Sequence, residues 1–227
     1  MLIFSLFRQL LFHHHSVTKG PWKNLKHTNT ELFGKTLGIY GLGRIGREIA
    51  KKASALGVKI LYFDIIRQYD LEKEMDITYV FPDDLLKNSD IVSYHVPKTK
   101  FTRHIINKNS LKLMRPDSLL VNASRGDVQD ENAIYNALIS GEIAAAGLDV
   151  FEIEPLPKKS PLCDLKNVVL TPHSAPDKEC YVRSVSNALE NLYRVSKGED
   201  PESLAVDYEK ETIKFLNRFP QVTLTHS

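Results

Sequence analysis

The feature that most constrains this chain is Gly41-Leu42-Gly43-Arg44-Ile45-Gly46, set directly after the β-branched run KTLGIY and directly before the amphipathic stretch RIGREIAKKASAL. Three glycines at that spacing between a strand and a helix define a turn that receives a phosphate. Gly41 permits the tight turn, Gly43 lets the backbone approach a pyrophosphate, and Gly46 lets helix and strand pack closely. The amides of the helix start, at Arg44 and Ile45, face the anion together with the helix dipole, and the Arg44 side chain adds positive charge.

The next strand ends in LYFD, which places Asp64 near the roughly 20-residue spacing of the acid that accepts hydrogen bonds from an adenosine ribose. A carboxylate there repels a 2′-phosphate, so NAD is expected over NADP. Arg67, close by in sequence, is the one feature that favours the phosphorylated form. The turn alone does not separate a dehydrogenase from a methyltransferase using adenosylmethionine, because this fold hosts many functions.

From Lys35 onward, short apolar runs alternate with longer amphipathic ones, which predicts an α/β chain: a Rossmann-like, doubly wound parallel sheet of about seven strands with flanking helices. Strands are expected at Thr36–Tyr40, Lys59–Phe63, Thr78–Phe81, Ile91–His95, Ser118–Asn122, Ala144–Asp149 and Val168–Thr171. Helices are expected at Arg44–Leu56, Asp83–Asn88, Lys108–Met114, Asp130–Ser140 and Asp177–Ser196, with Gly57, Gly141 and Gly198 as stops. The last helix carries Val182, Val185, Leu189, Leu192 and Val195 on one stripe. Residues 1–33 read as a leading segment, 34–197 as the nucleotide-binding domain, and 198–227 as a polar, mixed tail expected to pack loosely or be disordered near 223–227.

Thirty basic and 28 acidic residues are scattered with no basic stripe, which argues against a nucleic-acid partner. The opening MLIFSLFRQLLF is short, is interrupted by Arg8 and lacks a small-residue cleavage site, so no membrane span or signal peptide is expected. Cys163 and Cys180 show no paired spacing, which suits unpaired thiols and a cytoplasmic location. His13, His14 and His15 lack companion ligands at metal-binding spacing and read as an exposed helix end, so no metal is expected.

Three further residues fall where strands end, the edge at which doubly wound sheets do chemistry. Arg125 follows a strand in NASRG and offers a planar fork for a carboxylate, with a surface ion pair as the plainer alternative. Glu154 lies in the proline-rich EIEP turn, with Glu152 as the competing carboxylate. His173 lies in TPHSA, and a lone loop histidine is more often structural than catalytic.

Taken in order, GKTLGIYGLGRIG, HVPKT, NASRGDV, AAAGLDVFEIEPLP and TPHSA resemble the D-isomer-specific 2-hydroxyacid dehydrogenases over about residues 20–208. The resemblance implies an NAD-dependent hydride transfer between a D-2-hydroxy acid and a 2-oxo acid. It assigns substrate binding to Arg125, proton exchange to His173 and orientation of that imidazole to Glu154. It places Val96, Pro97, Thr102, the main chain of Ala123 and Ser124, and Asp149 around the cofactor. It also implies a homodimer, with Leu2, Phe4, Leu6, Phe7, Leu10, Leu11 and Phe12 as candidate contacts. His95 and His104 fall on the cofactor side and are expected to be loop residues.

Family members carry a substrate domain ahead of the cofactor domain, whereas only about thirty residues precede GKTLG here, short of the roughly 50 that a small domain needs. The opening segment resembles the family's interdomain hinge helix, so the substrate domain is expected to be missing and turnover impaired. A non-catalytic NAD-binding module or redox sensor is the competing expectation. Gln129 stands where the family favours an aliphatic residue, and Pro176 where it favours glycine.

Overall fold

The computed structural model describes residues 1–20, 22, 30–175, 178–202 and 206–224. Its core is a seven-stranded, wholly parallel sheet built from β1 (Thr36–Tyr40), β2 (Lys59–Phe63), β3 (Thr78–Tyr79), β4 (Ile91–Tyr94), β5 (Leu119–Asn122), β6 (Ala145–Leu148) and β7 (Val168–Leu170), in the order β3-β2-β1-β4-β5-β6-β7. The direction of winding reverses between β1 and β4, which opens a crevice at the carboxyl ends of those strands. β4 and β5 are buried at every position, as strands covered on both faces must be.

The strands fall where the sequence predicts them, several shorter by a residue or two at their ends. The expected helices appear as α3 (Arg44–Ser54), α5 (Pro82–Asn88), α6 (Lys108–Leu113), α7 (Glu131–Ser140) and α8 (Lys178–Ser196). Asn107 caps α6 through a capping box, and Asp130 caps α7 by accepting from the Ala133 amide. Gly141 ends α7 at φ 77°, a conformation that glycine adopts without strain. α4 (Tyr69–Met75) was not expected from the pattern: it is charged, contains no buried residue and starts without a side-chain cap. The expected start of α8 at Asp177 lies outside the described residues.

The leading segment is part of the fold. It forms α1 (Leu2–Phe7) and α2 (Leu10–Lys19), separated by Gln9 in a left-handed conformation at φ 46°. α1 lies against β5, β6 and β7. A side chain at Gly147 of β6 would meet Leu2 and Leu6 at 3.1 Å, so the small-residue run AAAG lets this helix approach the sheet. Leu6 and Phe7, expected in an intermolecular contact, are instead buried within the chain, while Phe4, Leu10 and Leu11 remain exposed. The apolar stripe of α8 is also exposed, from Val185 at 43% to Leu192 at 66%.

The tail holds a helix that the sequence pattern did not indicate. Tyr208–Arg218 forms α9, capped by Asp207, whose carboxylate accepts from the Lys210 amide. Phe215 reaches the main core, with its ring centroid 5.5 Å from Phe63 and 5.1 Å from Phe219. Leu224 packs against the same core, and residues 225–227 lie outside the described residues. The segment reads as polar because its apolar residues are few, yet Thr212, Phe215, Leu216 and Phe219 recur at helical spacing. Phe215→Ala is expected to lower stability by about 3 kcal/mol, measured by urea denaturation; a loss well under 1 kcal/mol would show that α9 contributes little to the core.

Among the described residues no helix is long and apolar enough to cross a membrane, and no three histidine, cysteine or acidic side chains form a group able to hold a metal ion. Cys163 and Cys180 form no disulfide.

Candidate active site

The glycine turn lies at the mouth of the β1/β4 crevice. Gly41 has φ 101°, and a side chain there would strike the His95 carbonyl at 2.8 Å. One at Gly46 would strike the Gly41 carbonyl at 2.2 Å, which is the close packing of helix on strand that the motif predicts. Gly43 has nothing within 4 Å of where a side chain would begin, so its backbone faces open space. Arg44 and Ile45 are exposed at the first turn of α3. This turn fits a pyrophosphate: it combines free approach at Gly43 with a helix start and no acidic residue in the first turn.

Asp64 stands one residue beyond β2 and holds the turn from the side. Its carboxylate accepts from the Leu42 amide at 2.7 Å and from the Ile66 amide at 3.0 Å. Burial raises its pKa, opposed by those amides and by the positive charge of Arg47. Arg67 does not face this acid freely: it makes a two-pronged ion pair with Glu72, at 2.8 and 2.9 Å, and lies over the rings of Tyr69 and Tyr79.

Val96, Pro97 and Thr102 line the cavity beside Asp64. Thr102 Oγ1 donates to the Pro97 carbonyl at 2.7 Å, closing the loop after β4. Tyr208, Thr212 and Leu224 from the C-terminal segment complete the wall, a contribution that no motif announces. His95 lines the same cavity and bonds to Ser93 Oγ at 2.8 Å. Burial pushes its pKa down to about 4, so the ring is neutral at physiological pH. His104 does not line this cavity; its Nε2 lies 3.7 Å from the Glu152 carboxylate.

Arg125, Glu154 and His173 leave the sheet in the loops that follow β5, β6 and β7, three neighbouring strands running in one direction. The structure brings Glu154 and His173 into contact, with Oε2 2.8 Å from Nδ1. Glu154 Oε1 accepts from the Phe151 amide at 3.0 Å, which fixes the carboxylate. Glu152, the competing acid, is engaged elsewhere: its Oε1 accepts from the Glu131 amide. Arg125 is exposed, and its Nη1 donates to the Ser124 carbonyl at 2.6 Å.

His173 has φ 52°, a conformation uncommon for a residue with a side chain. Its amide donates to the carbonyls of Asp149 and Thr171. Asp149 is 3% exposed and organises this loop: Oδ1 accepts from Thr171 Oγ1 and the Ser174 amide, and Oδ2 from the Ala175 amide. The sequence singles out Asp149 for the cofactor; its carboxylate is occupied in holding the residues on both sides of His173. Ser124 likewise directs its amide and hydroxyl to Asn122 Oδ1, and Ala123 lies between the two.

The hydrogen bond from His173 holds the Glu154 carboxyl below its ordinary value of 4.5, with the Phe151 amide adding to the effect. A lowered carboxylate pKa means that the contact contributes fully above the ordinary value and is lost as pH falls through the lowered one. An acid titration of the Glu154 carboxyl followed by carbon NMR is therefore expected to show a midpoint below 4.5; one at or above it would mean that the contact does not persist in solution.

Residues 1–175 match the family described as D-isomer specific 2-hydroxyacid dehydrogenase, NAD binding domain. A glyoxylate reductase of Korarchaeum cryptofilum is 46% identical over 193 residues, spanning 83% of this chain and 58% of that protein. A D-3-phosphoglycerate dehydrogenase of Methanocaldococcus jannaschii is 40% identical over 191 residues, spanning 83% of this chain and 36% of that one. The NAD-complexed structure of a D-isomer specific 2-hydroxyacid dehydrogenase from Lactobacillus delbrueckii ssp. bulgaricus superposes with a TM-score of 0.78 at 30% identity, covering 90% of this chain and 66% of that one. The chain thus spans less than two thirds of the length of these relatives. With the glycine turn, Asp64 and the histidine loop on one sheet edge, the chain belongs to the D-isomer specific 2-hydroxyacid dehydrogenases through their NAD-binding domain.

Proposed function

We propose that this chain takes part in NAD(H)-dependent interconversion of a D-2-hydroxy acid and a 2-oxo acid, with small acids of the glyoxylate and hydroxypyruvate kind as substrates. The observation that carries the reading is the 2.8 Å contact between Glu154 and His173 at the carboxyl edge of the sheet that bears the glycine turn. The glyoxylate reductase among the relatives favours this substrate class. The paired Arg67 favours NAD over its 2′-phosphorylated form, because its fork is already taken by Glu72.

Bound nicotinamide supplies or accepts the hydride. The protein's work is placement and proton transfer. Glu154 holds Nδ1 of His173 and so leaves Nε2 to give a proton to the substrate oxygen during reduction and to take it back during oxidation. Arg125 holds the substrate carboxylate and draws electron density from the neighbouring carbonyl. Asp149 keeps His173 in its left-handed conformation by fastening the residues around it.

The partner is a small acid, with a second copy of the chain engaged through exposed apolar residues such as Phe4, Leu10 and Leu11, and the setting is the cytoplasm. Steady-state oxidation of NADH with a panel of 2-oxo acids tests the reaction. His173→Ala is expected to lower kcat by on the order of 100-fold or more while NADH affinity is kept. Absence of turnover with every acid at saturating NADH would replace this reading with a non-catalytic NAD-binding module.

A further inference from the structure

Glutamine is seldom fully enclosed unless its amide is satisfied. Gln129 is 0% exposed, and both its amide nitrogen and its amide oxygen are hydrogen-bonded. Its Nε2 donates to the Val150 carbonyl at 3.0 Å, and its Oε1 accepts from Asn122 Nδ2 at 2.8 Å. Asn122, equally enclosed, sends its other N–H to the Arg125 carbonyl at 3.1 Å.

These bonds join two of the loops that carry the site. From the Arg125 carbonyl the connection passes through the Asn122 and Gln129 amides to the Val150 carbonyl. The next residue, Phe151, donates to Glu154, which meets His173. A crossed pair reinforces the junction: the Glu131 amide donates to Glu152 Oε1 at 2.8 Å and the Glu152 amide to Glu131 Oε1 at 2.6 Å. Burial raises the pKa of Glu131 within it.

We infer that Gln129 is a positioning residue that sets where Glu154 and His173 stand relative to Arg125. Shape alone does not account for it. An aliphatic side chain of the same length fills the same space, but it strands the Asn122 N–H and the Val150 carbonyl, both of which then draw their loops toward other partners. The inference rests on the reading of the site given above only for its consequence in turnover. The geometric claim concerns the folded chain itself.

The test compares the parent with Gln129→Leu by proton NMR of the His173 Nδ1–H, by NADH titration and by turnover of a 2-oxo acid. The expected result is a resolved Nδ1–H signal in the parent that is broadened or lost in Gln129→Leu, with NADH affinity kept. Where the parent turns over, kcat is expected to fall by on the order of 10- to 100-fold, since displacement of reacting groups by about 1 Å costs that much. Identical signals in the two folded proteins would overturn the inference. A parent with a sharp signal and no turnover would sink the proposed reaction and leave the geometric claim to be decided by the signal.

Should Gln129→Leu fail to fold, Gln129→Glu decides the matter. Its protonated form can donate to Val150 and accept from Asn122 as the amide does. Its ionised form opposes the Val150 carbonyl and the carboxylates of Glu131 and Glu152. The Nδ1–H signal is then expected to weaken as the introduced acid ionises, in contrast to the parent over the same range, and a signal that follows the parent at every pH would equally overturn the inference.

Discussion

Gly43→Asp is expected to reduce NADH affinity by on the order of 100-fold or more while leaving the melting temperature of the free protein at or slightly above that of the parent. The two halves of this expectation have separate causes. Gly43 is the N-cap of α3 at φ −68°, a value any residue adopts, and nothing stands within 4 Å of the position its side chain would occupy. Aspartate is among the best N-cap residues, and its charge suits a helix start, so the unliganded fold gains by up to about 1 kcal/mol. The same carboxylate then projects where a pyrophosphate must lie. Two like charges about 4 Å apart near a protein surface repel by roughly 4 kcal/mol, and each 1.4 kcal/mol is about tenfold in affinity. Fluorescence titration with NADH and a thermal melt on the same sample read the two effects. Retained affinity would remove the phosphate from this turn.

Gly126→Ala is expected to act in the opposite way, through the fold. A side chain there would meet the Phe151 carbonyl oxygen at 1.8 Å and its carbon at 2.2 Å. Both belong to backbone, so no rotamer relieves the clash, and the loop that carries Glu154 must move away from the loop that carries Arg125. Forced overpacking of this kind costs typically 1–3 kcal/mol and sometimes more, and a loss of about 3 kcal/mol is expected in urea denaturation. The Glu154–His173 contact should loosen with it. NADH affinity should fall far less than in Gly43→Asp, because the glycine turn lies at the other side of the switch in strand order. A variant as stable as the parent would mean that the two loops do not pack as closely in solution.

These two glycines also show what the sequence discloses and what it does not. Gly43 belongs to a motif whose spacing states its purpose, since a pyrophosphate imposes the same geometry wherever it is bound by a strand, turn and helix. Gly126 is visible as part of NASRG, but its partner is the backbone of Phe151, and a contact between two carbonyl-bearing loops leaves no mark on local composition. The same division separates Arg125, Glu154 and His173, each legible as a strand-end residue, from Asn122, Gln129 and Glu131, whose roles depend on bonds between distant segments. Asp149 lies in between: its position at the end of β6 is readable, its task of fastening Thr171, Ser174 and Ala175 is not. α9 escaped notice because three apolar residues and a threonine in a charged segment suffice when a core face awaits them, and the sequence does not display that face.

The sheet has a further consequence for how the molecule comes into being. No two of its neighbouring strands run antiparallel, so none is joined by a hairpin, and each pairing has to close across an intervening helix or longer segment. Leu37 must find Ile91, and Asn122 must find Leu148, before either bond rewards the search. Assembly by such remote encounters is slow and leaves strand edges bare while it proceeds. Dilute refolding at low temperature, with the apolar stripe of α8 kept from meeting its own kind, is the regime in which this chain should recover its native form.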